Sequence, residues 1–228
     1  MYFPWVGLFE QIKSADVFVH YDNVQLPQGR SFITRVQVKT ADGIRWLTAP
    51  VRRESGQEIR DVRLDHTTDW RHKHLATLQQ AYANSPCRAD MLHLVEQVFG
   101  RVSDSLSEMN IDLLETISRY LQLDTRFEIA SRYDSSSTGT KKLIELCQRF
   151  DANLYVTGHG ALRYLDHEAF ESKGIGVAYM DYRCVEYDQL HGGFTPYVSI
   201  LDAIANLGQE TQTLLQPRTR DWKEFKDE

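Results

Sequence analysis

Apolar and polar positions alternate in different rhythms along the chain, and the rhythm names the elements. After Pro4, which fits a first helical turn, Trp5, Leu8, Phe9 and Ile12 recur at helical spacing as far as Ser14. DVFVHYD (16–22) is a short β-rich run. A polar connection through Gln25, Pro27 and Gly29 then leads to FITRVQVKT (32–40), which alternates as a strand does, and an Ala-Asp-Gly turn returns the chain into IRWLTAPV (44–51). This reads as a β-hairpin. RRESGQE is a solvated loop, and IRDVRLD (59–65) is expected to form one more strand, with an irregularity between Ile59 and Val62.

From Asp69 to Gly100 the period becomes helical: Trp70, Leu75, Leu78 and Tyr82 precede an Asn-Ser-Pro break, and Met91, Leu92, Val95, Val98 and Phe99 follow it. A third helix runs over about 107–121. Strand and helix patterns then alternate: FEIAS (127–131), a helix over 139–150, NLYVTG (153–158), a short helix from 160, and IGVAYMDY (175–182). A helix over about 197–207 closes at Gly208, the expected C-cap place. The succession predicts an α/β fold with a parallel or mixed sheet and βαβ units in the C-terminal half. A β-hairpin insertion (about 32–65) and a helical segment (about 68–123) occupy the middle. With no internal repeat and no Pro/Ser/Gly-rich linker, one domain over 1–228 is expected, and 209–228 reads as a C-terminal tail.

Composition narrows the class. The 228 residues are 42% hydrophobic and 25% charged, which excludes collagen-like, disordered and small disulfide-stapled chains. A net charge of −6 lacks the basic excess of a general duplex-DNA binder. Cys87, Cys147 and Cys184 lie far apart with no C-x-x-C pair, so neither a disulfide framework nor a metal site is written in them. No apolar run reaches the ~20 residues that span a bilayer, and the opening has no basic flank before an apolar stretch. A cytoplasmic protein is expected. The first nine residues, MYFPWVGLF, hold four aromatics and are too apolar for a flexible tail.

Four places attract chemistry. The cluster Ser135 to Lys142, with Thr138, Thr140 and Lys141, lies between a predicted strand and a helix, where free N–H groups favour a phosphate or carboxylate. It lacks the Walker A spacing, and ordinary N-capping accounts for it equally. Val-Thr-Gly-His-Gly-Ala-Leu-Arg (156–163) follows another predicted strand; Gly158 permits close approach, His159 is a candidate acid/base, and Arg163 a candidate anion clamp. A glycine-rich turn with a solvated histidine is the alternative. Asp16, His20 and Asp22 fall on one side of an ideal strand, a pattern for general-base or metal chemistry or for a plain solvent-facing side. His66, His72 and His74 lack metal spacing and read as a solvated face.

In order and spacing these segments resemble the WbqC-like proteins of bacterial surface-polysaccharide gene clusters. The resemblance runs through YFPWVGLF (2–9), ADVFVHYDNVQ (15–25), Thr34-Arg35 with RWLTAPV (45–51), Trp70 with His74 and Tyr82, STGTKKL (137–143), LYVTGHGALRYLD (154–166) and YDQLHGGFTPYVSILDAIANLG (187–208). It implies a transferase in O-antigen or related glycan biosynthesis that places glycine or another acyl group on an amino sugar. Nucleotide sugar, ATP or an acyl carrier would be substrates, and no resident cofactor or metal is assigned. By matching position it implicates Asp22, Gln25, Arg35, Thr138, Lys141, Gly158, Arg163, Tyr187, Gln189, Ser199, Asp202 and Asn206. Asp16, His20, Asp22 and His159 are the candidate bases that would free the attacking amine. No Ser-His-Asp or Cys-His set is legible, which leaves a non-catalytic subunit that binds a glycan precursor or partner as the alternative. A loose likeness of PWVGLFEQIKSADVFVHYDNVQ to ATP-dependent ligases and nucleotidyltransferases, without an HxGH signature, is a further one.

Two departures from the family pattern carry expectations. Thr34 stands where the family usually has Asn. The family pattern also begins with a strand and a Gln-Pro pair ahead of the YFPW segment, and this chain starts inside that segment. Trp5, Leu8 and Phe9 are therefore expected in the core, beside a groove or unpaired sheet edge that another copy of the chain would cover.

Overall fold

The computed structural model describes residues 1–101 and 103–226. The chain opens with α1 (Val6–Lys13) and β1 (Val17–His20), then forms the antiparallel hairpin of β2 (Arg35–Thr40) and β3 (Gly43–Thr48), in register from Arg35↔Thr48 to Thr40↔Gly43. Gly43 takes a φ of 103° at the turn, where a side chain would be strained. A second antiparallel pair, β4 (Val51–Arg52) with β5 (Arg63–Leu64), is two residues long. The expected strand over 59–65 is mostly absent, because Ile59–Asp61 coil into a 3-10 turn that leaves only Arg63 and Leu64 to pair.

Three helices follow, α2 (Trp70–Ala81), α3 (Arg88–Phe99) and α4 (Leu106–Tyr120). Two of the three starts are capped by a side chain: Asp69 accepts from the His72 amide, and Ser105 from the Glu108 amide. Next come β6 (Arg126–Ile129), α5 (Gly139–Arg149), β7 (Leu154–Thr157), α6 (His167–Glu171) and β8 (Gly176–Met180). α7 (Ile200–Leu207) begins three residues later than the periodicity predicts, since Tyr197 has a φ of 63° and Ser199 is the cap, accepting from Leu201 N. The segment read as a tail is structured: a 3-10 stretch (Gly208–Leu214), β9 (Thr219–Asp221) and α8 (Trp222–Lys226) end the chain.

β1 pairs with β6 in parallel, and β7 pairs with β8 in parallel, with β9 antiparallel on the far side of β8. The fold is thus mixed α/β, as expected. One core gathers α1, the hairpin and α2, α3, α4 and α7; a second gathers α5, β7, β8 and Trp222. Phe9 and Ile12 of α1 are fully buried, each contributing about 1.5–3 kcal/mol. Trp5 and Leu8 are only half-buried, which corrects the expectation for both. Trp5 turns toward Tyr182 and Tyr197, and Leu8 lines a groove.

That groove, of about 510 Å³, lies between β1 and β7, whose facing edges are unpaired. Leu8, Phe18, Leu143, Cys147, Phe150 and Tyr155 give it an apolar lining, and Gln11 donates to the carbonyl of Val156 at 3.3 Å. Among the described residues no strand pairs with either of those edges. Among the described residues no helix is long and apolar enough to cross a membrane.

Candidate functional site

Parallel strands deliver their next residues to one end of the sheet, and the candidate residues divide there. β1 hands on Tyr21, Asp22 and Asn23. Asp22 is buried, and its two oxygens accept from Ser131 N at 2.9 Å and Ser131 Oγ at 2.7 Å, which ties the end of β1 to the end of β6. With both oxygens so engaged, Asp22 holds the frame. His20 is buried and stacked on Phe127, with ring centroids 5.3 Å apart. Burial, helped by the nearby α-amine of Met1, lowers its pKa to about 4. Its Nε2, 3.4 Å from Glu115, is therefore neutral at physiological pH and no ion pair forms. Asp16 is exposed at the opposite end of β1. The trio expected on one side of a strand is not gathered, because β1 is four residues long and both aspartates lie outside it.

α5 starts beside these residues. Thr138 is its N-cap without a side-chain hydrogen bond, and Thr140 Oγ1 accepts from Asp166 N at 3.1 Å. Ser135 and Ser137 both donate to Glu145, at 2.6 Å, so a carboxylate of the chain itself occupies the hydroxyls expected to cradle an anion. Lys141 is exposed. Its neighbour Lys142 is the residue that turns inward: it is buried, donates to the Asn23 carbonyl at 2.9 Å, and lies 5.4 Å from the Tyr21 ring. Among the described residues no carboxylate pairs with it. Asn23 Oδ1 is likewise buried without a hydrogen-bond partner. An uncompensated cation beside an unfilled acceptor is a costly arrangement that a ligand bearing both an anionic group and an N–H or O–H donor would relieve. A buried position inside a Lys-Lys pair is set by helix rotation, for which the apolar Leu143–Ile144–Cys147 stripe was the available signal.

β7 hands on Gly158 and His159. A Cβ on Gly158 would meet Tyr182 Oη at 3.4 Å. His159 Nε2 sits 2.6 Å from the Met180 carbonyl, which only accepts, so Nε2 carries the proton and Nδ1 is left as the basic nitrogen. The ring is exposed, against Tyr182 and Phe225. Arg163 is exposed with no ion pair among the described residues.

The remaining candidates lie elsewhere. Asp202 is buried and accepts from Tyr187 Oη (2.8 Å), Tyr82 Oη (3.0 Å) and Asn206 Nδ2 (3.3 Å). Burial raises its carboxyl pKa, while the tyrosines, Lys39 and Asn206 oppose the rise. Gln189 Oε1 accepts from buried Lys39 (3.1 Å) and from Thr195 N (2.8 Å). Tyr187, Gln189 and Asp202 thus bond within the chain, to one another or to Tyr82, Lys39, Thr195 and Asn206. Ser199 Oγ donates to Phe3 O at 2.8 Å. Gln25 is exposed and pairs through its backbone with Glu58. Arg35 stacks on Trp46 of the hairpin, 3.5 Å from the ring centroid. His74, read as solvated, is buried and hydrogen-bonded to Tyr2 Oη at 2.8 Å.

No solved structure matches the chain. The chain is 34% identical over 219 residues, 94% of each chain, to the "Uncharacterized protein Rv1507c" of Mycobacterium tuberculosis (strain ATCC 25618 / H37Rv). Residues 1–213 match the WbqC-like protein family. By both measures the chain belongs to the WbqC-like protein family.

Proposed function

We propose that this protein is a transferase of bacterial surface-polysaccharide biosynthesis that joins an amino acid, glycine or one like it, to an amino sugar. The observation that carries the reading is the buried pair of Lys142 and Asn23: a cation with no carboxylate partner, and an amide oxygen with no donor. A free amino acid supplies what each lacks, a carboxylate for Lys142 Nζ and an ammonium for Asn23 Oδ1. His159, with Nδ1 basic, is the base that removes the sugar ammonium's proton before the nitrogen attacks the activated acyl carbon. ATP activates the amino-acid carboxylate by forming a bond from a carboxylate oxygen to phosphorus, and the new C–N bond forms as the bond from the acyl carbon to that phosphorylated oxygen breaks and the phosphate ester departs.

The test offers radiolabelled glycine, ATP and a nucleotide-linked amino sugar to the purified protein and follows label in the sugar. Lys142→Met is expected to weaken glycine binding about 10- to 100-fold, the size of one or two charge-assisted hydrogen bonds. His159→Gln should lower turnover while sparing binding. If neither glycine nor the sugar binds, the reading fails. A binding subunit without chemistry is the second reading, favoured by the complete engagement of Asp22 by Ser131; saturable sugar binding without turnover, indifferent to His159→Gln, would select it.

A further inference from the structure

Away from the sheet end, the outer face of the hairpin carries a second groove, of about 500 Å³, lined by Arg30, Arg35, Arg53, Trp46 and Thr48 among others and by no Asp or Glu. Three guanidiniums sharing a cleft without a carboxylate are unusual in a chain whose net charge is −6. The chain holds them in place without neutralising them. Arg35 begins β2, and Trp46 stands diagonally across the ladder from it, Gln37↔Trp46 and Arg35↔Thr48 being the paired positions. The indole ring therefore supports the Arg35 guanidinium, 3.5 Å from its centroid, and among the described residues no hydrogen bond engages the guanidinium N–H groups. Arg53 donates to Pro27 O (3.1 Å) and Gly29 O (3.5 Å), which fastens the loop bearing Arg30 to the wall of the groove. Among the described residues neither Arg30 nor Arg35 has an ion-pair partner.

We propose that this groove binds a diphosphate group between Arg30, Arg35 and Arg53. Planar guanidinium forks match phosphate oxygens in pairs. A diphosphate spreads its charge over more oxygens than a single phosphate offers, which suits guanidiniums brought from three separate segments. The volume falls within the ~300–1,000 Å³ range of small-molecule sites. The site is separate from Lys142 and Asn23 and stands whether or not the transferase reading does.

Calorimetric titration of the full chain with inorganic pyrophosphate and with inorganic phosphate tests it. Pyrophosphate is expected to bind at least about tenfold more tightly than phosphate. Arg35→Ala and Arg30→Ala should each weaken pyrophosphate binding about tenfold or more, and Arg35→Lys should fail to restore it because the fork is lost. Arg45→Ala, on the same hairpin but outside the groove, should bind as the parent does. Unfolding midpoints of all variants separate loss of the site from loss of fold. Uridine diphosphate and farnesyl diphosphate as further ligands distinguish a nucleotide from a lipid carrier: tighter binding of either names the source, and equal binding supports the diphosphate alone. Absence of pyrophosphate binding, or a loss in Arg45→Ala equal to that in Arg35→Ala, overturns the proposal.

Discussion

Replacing Asp202 should unfold the protein more readily rather than merely weaken a ligand. Its carboxylate is 1% exposed and receives two tyrosine hydroxyls on separate oxygens, with a third hydrogen bond from Asn206. Lys39, 4% exposed, donates to Gln189 Oε1 and to the Gly192 and Gly193 carbonyls, and contributes the positive charge that opposes the effect of burial on Asp202. Removing one member of a buried, charge-bearing network costs about 3–5 kcal/mol, because the rest is left buried without its counter-charge. Asp202→Ala is expected to lose that amount, which for a chain of this length lowers Tm by roughly 6–20 °C. Tyr82→Phe and Tyr187→Phe remove one donor to a charged acceptor and should cost about 1.5–3 kcal/mol each. Combined with Asp202→Ala, either should add little, a coupling of about 1–3 kcal/mol. Urea unfolding followed by tryptophan fluorescence measures all of these. A loss below about 1 kcal/mol for Asp202→Ala, or strict additivity with Tyr187→Phe, would refute the structural role and return Asp202 to the candidate ligand contacts.

Acid should act through the buried histidines. His20 and His74 have their pKa lowered to about 4, against an ordinary value near 6.5, both chiefly by burial. The unfolded chain therefore binds more protons than the native one between about pH 4 and 6.5, so stability is full above that window and falls as pH drops through it, by about 1.4 kcal/mol per unit for each histidine. Urea midpoints against pH should fall less steeply in His74→Gln; identical slopes would count against it. Gly208→Ala should destabilise by about 1–3 kcal/mol, since Gly208 adopts φ 59° and ψ −133° and an added Cβ would lie 2.8 Å from Cys87 Sγ; a variant as stable as the parent would contradict this conformation. The unpaired edges of β1 and β7 are expected to mediate self-association, giving a mass by light scattering above 26.4 kDa that rises with concentration. A monomer at all concentrations would refute that expectation.

The helices were the most legible part of the fold. α2, α3 and α4 start and stop within a few residues of their predicted bounds because an apolar stripe is a local property of the chain. The hairpin was legible for the same reason. The 3-10 turn at Ile59–Asp61 and the strand β9 were not: the first substitutes for an expected strand only because Val24 and Asp22 accept its amides, and the second exists only because β8 offers an edge.

Within the candidate site the division is sharper. Residue types and their approximate places at strand ends follow from the sequence, as Asp22, Gly158 and His159 illustrate. Which of them faces a ligand does not. Asp22 is saturated by Ser131, 109 positions away, and Lys142 rather than Lys141 turns inward to meet Asn23, 119 positions away. Tyr187, Gln189 and Asp202 are implicated by resemblance alone, while Asp202 and Gln189 bond to Tyr82 and Lys39, far back in the chain. Periodicity records what each residue does relative to its near neighbours, so the sequence by itself determined the helices, the hairpin, most of their apolar faces and the family. Burial, ionisation and hydrogen-bond saturation depend on groups brought together from distant segments, and only the tertiary structure decided those.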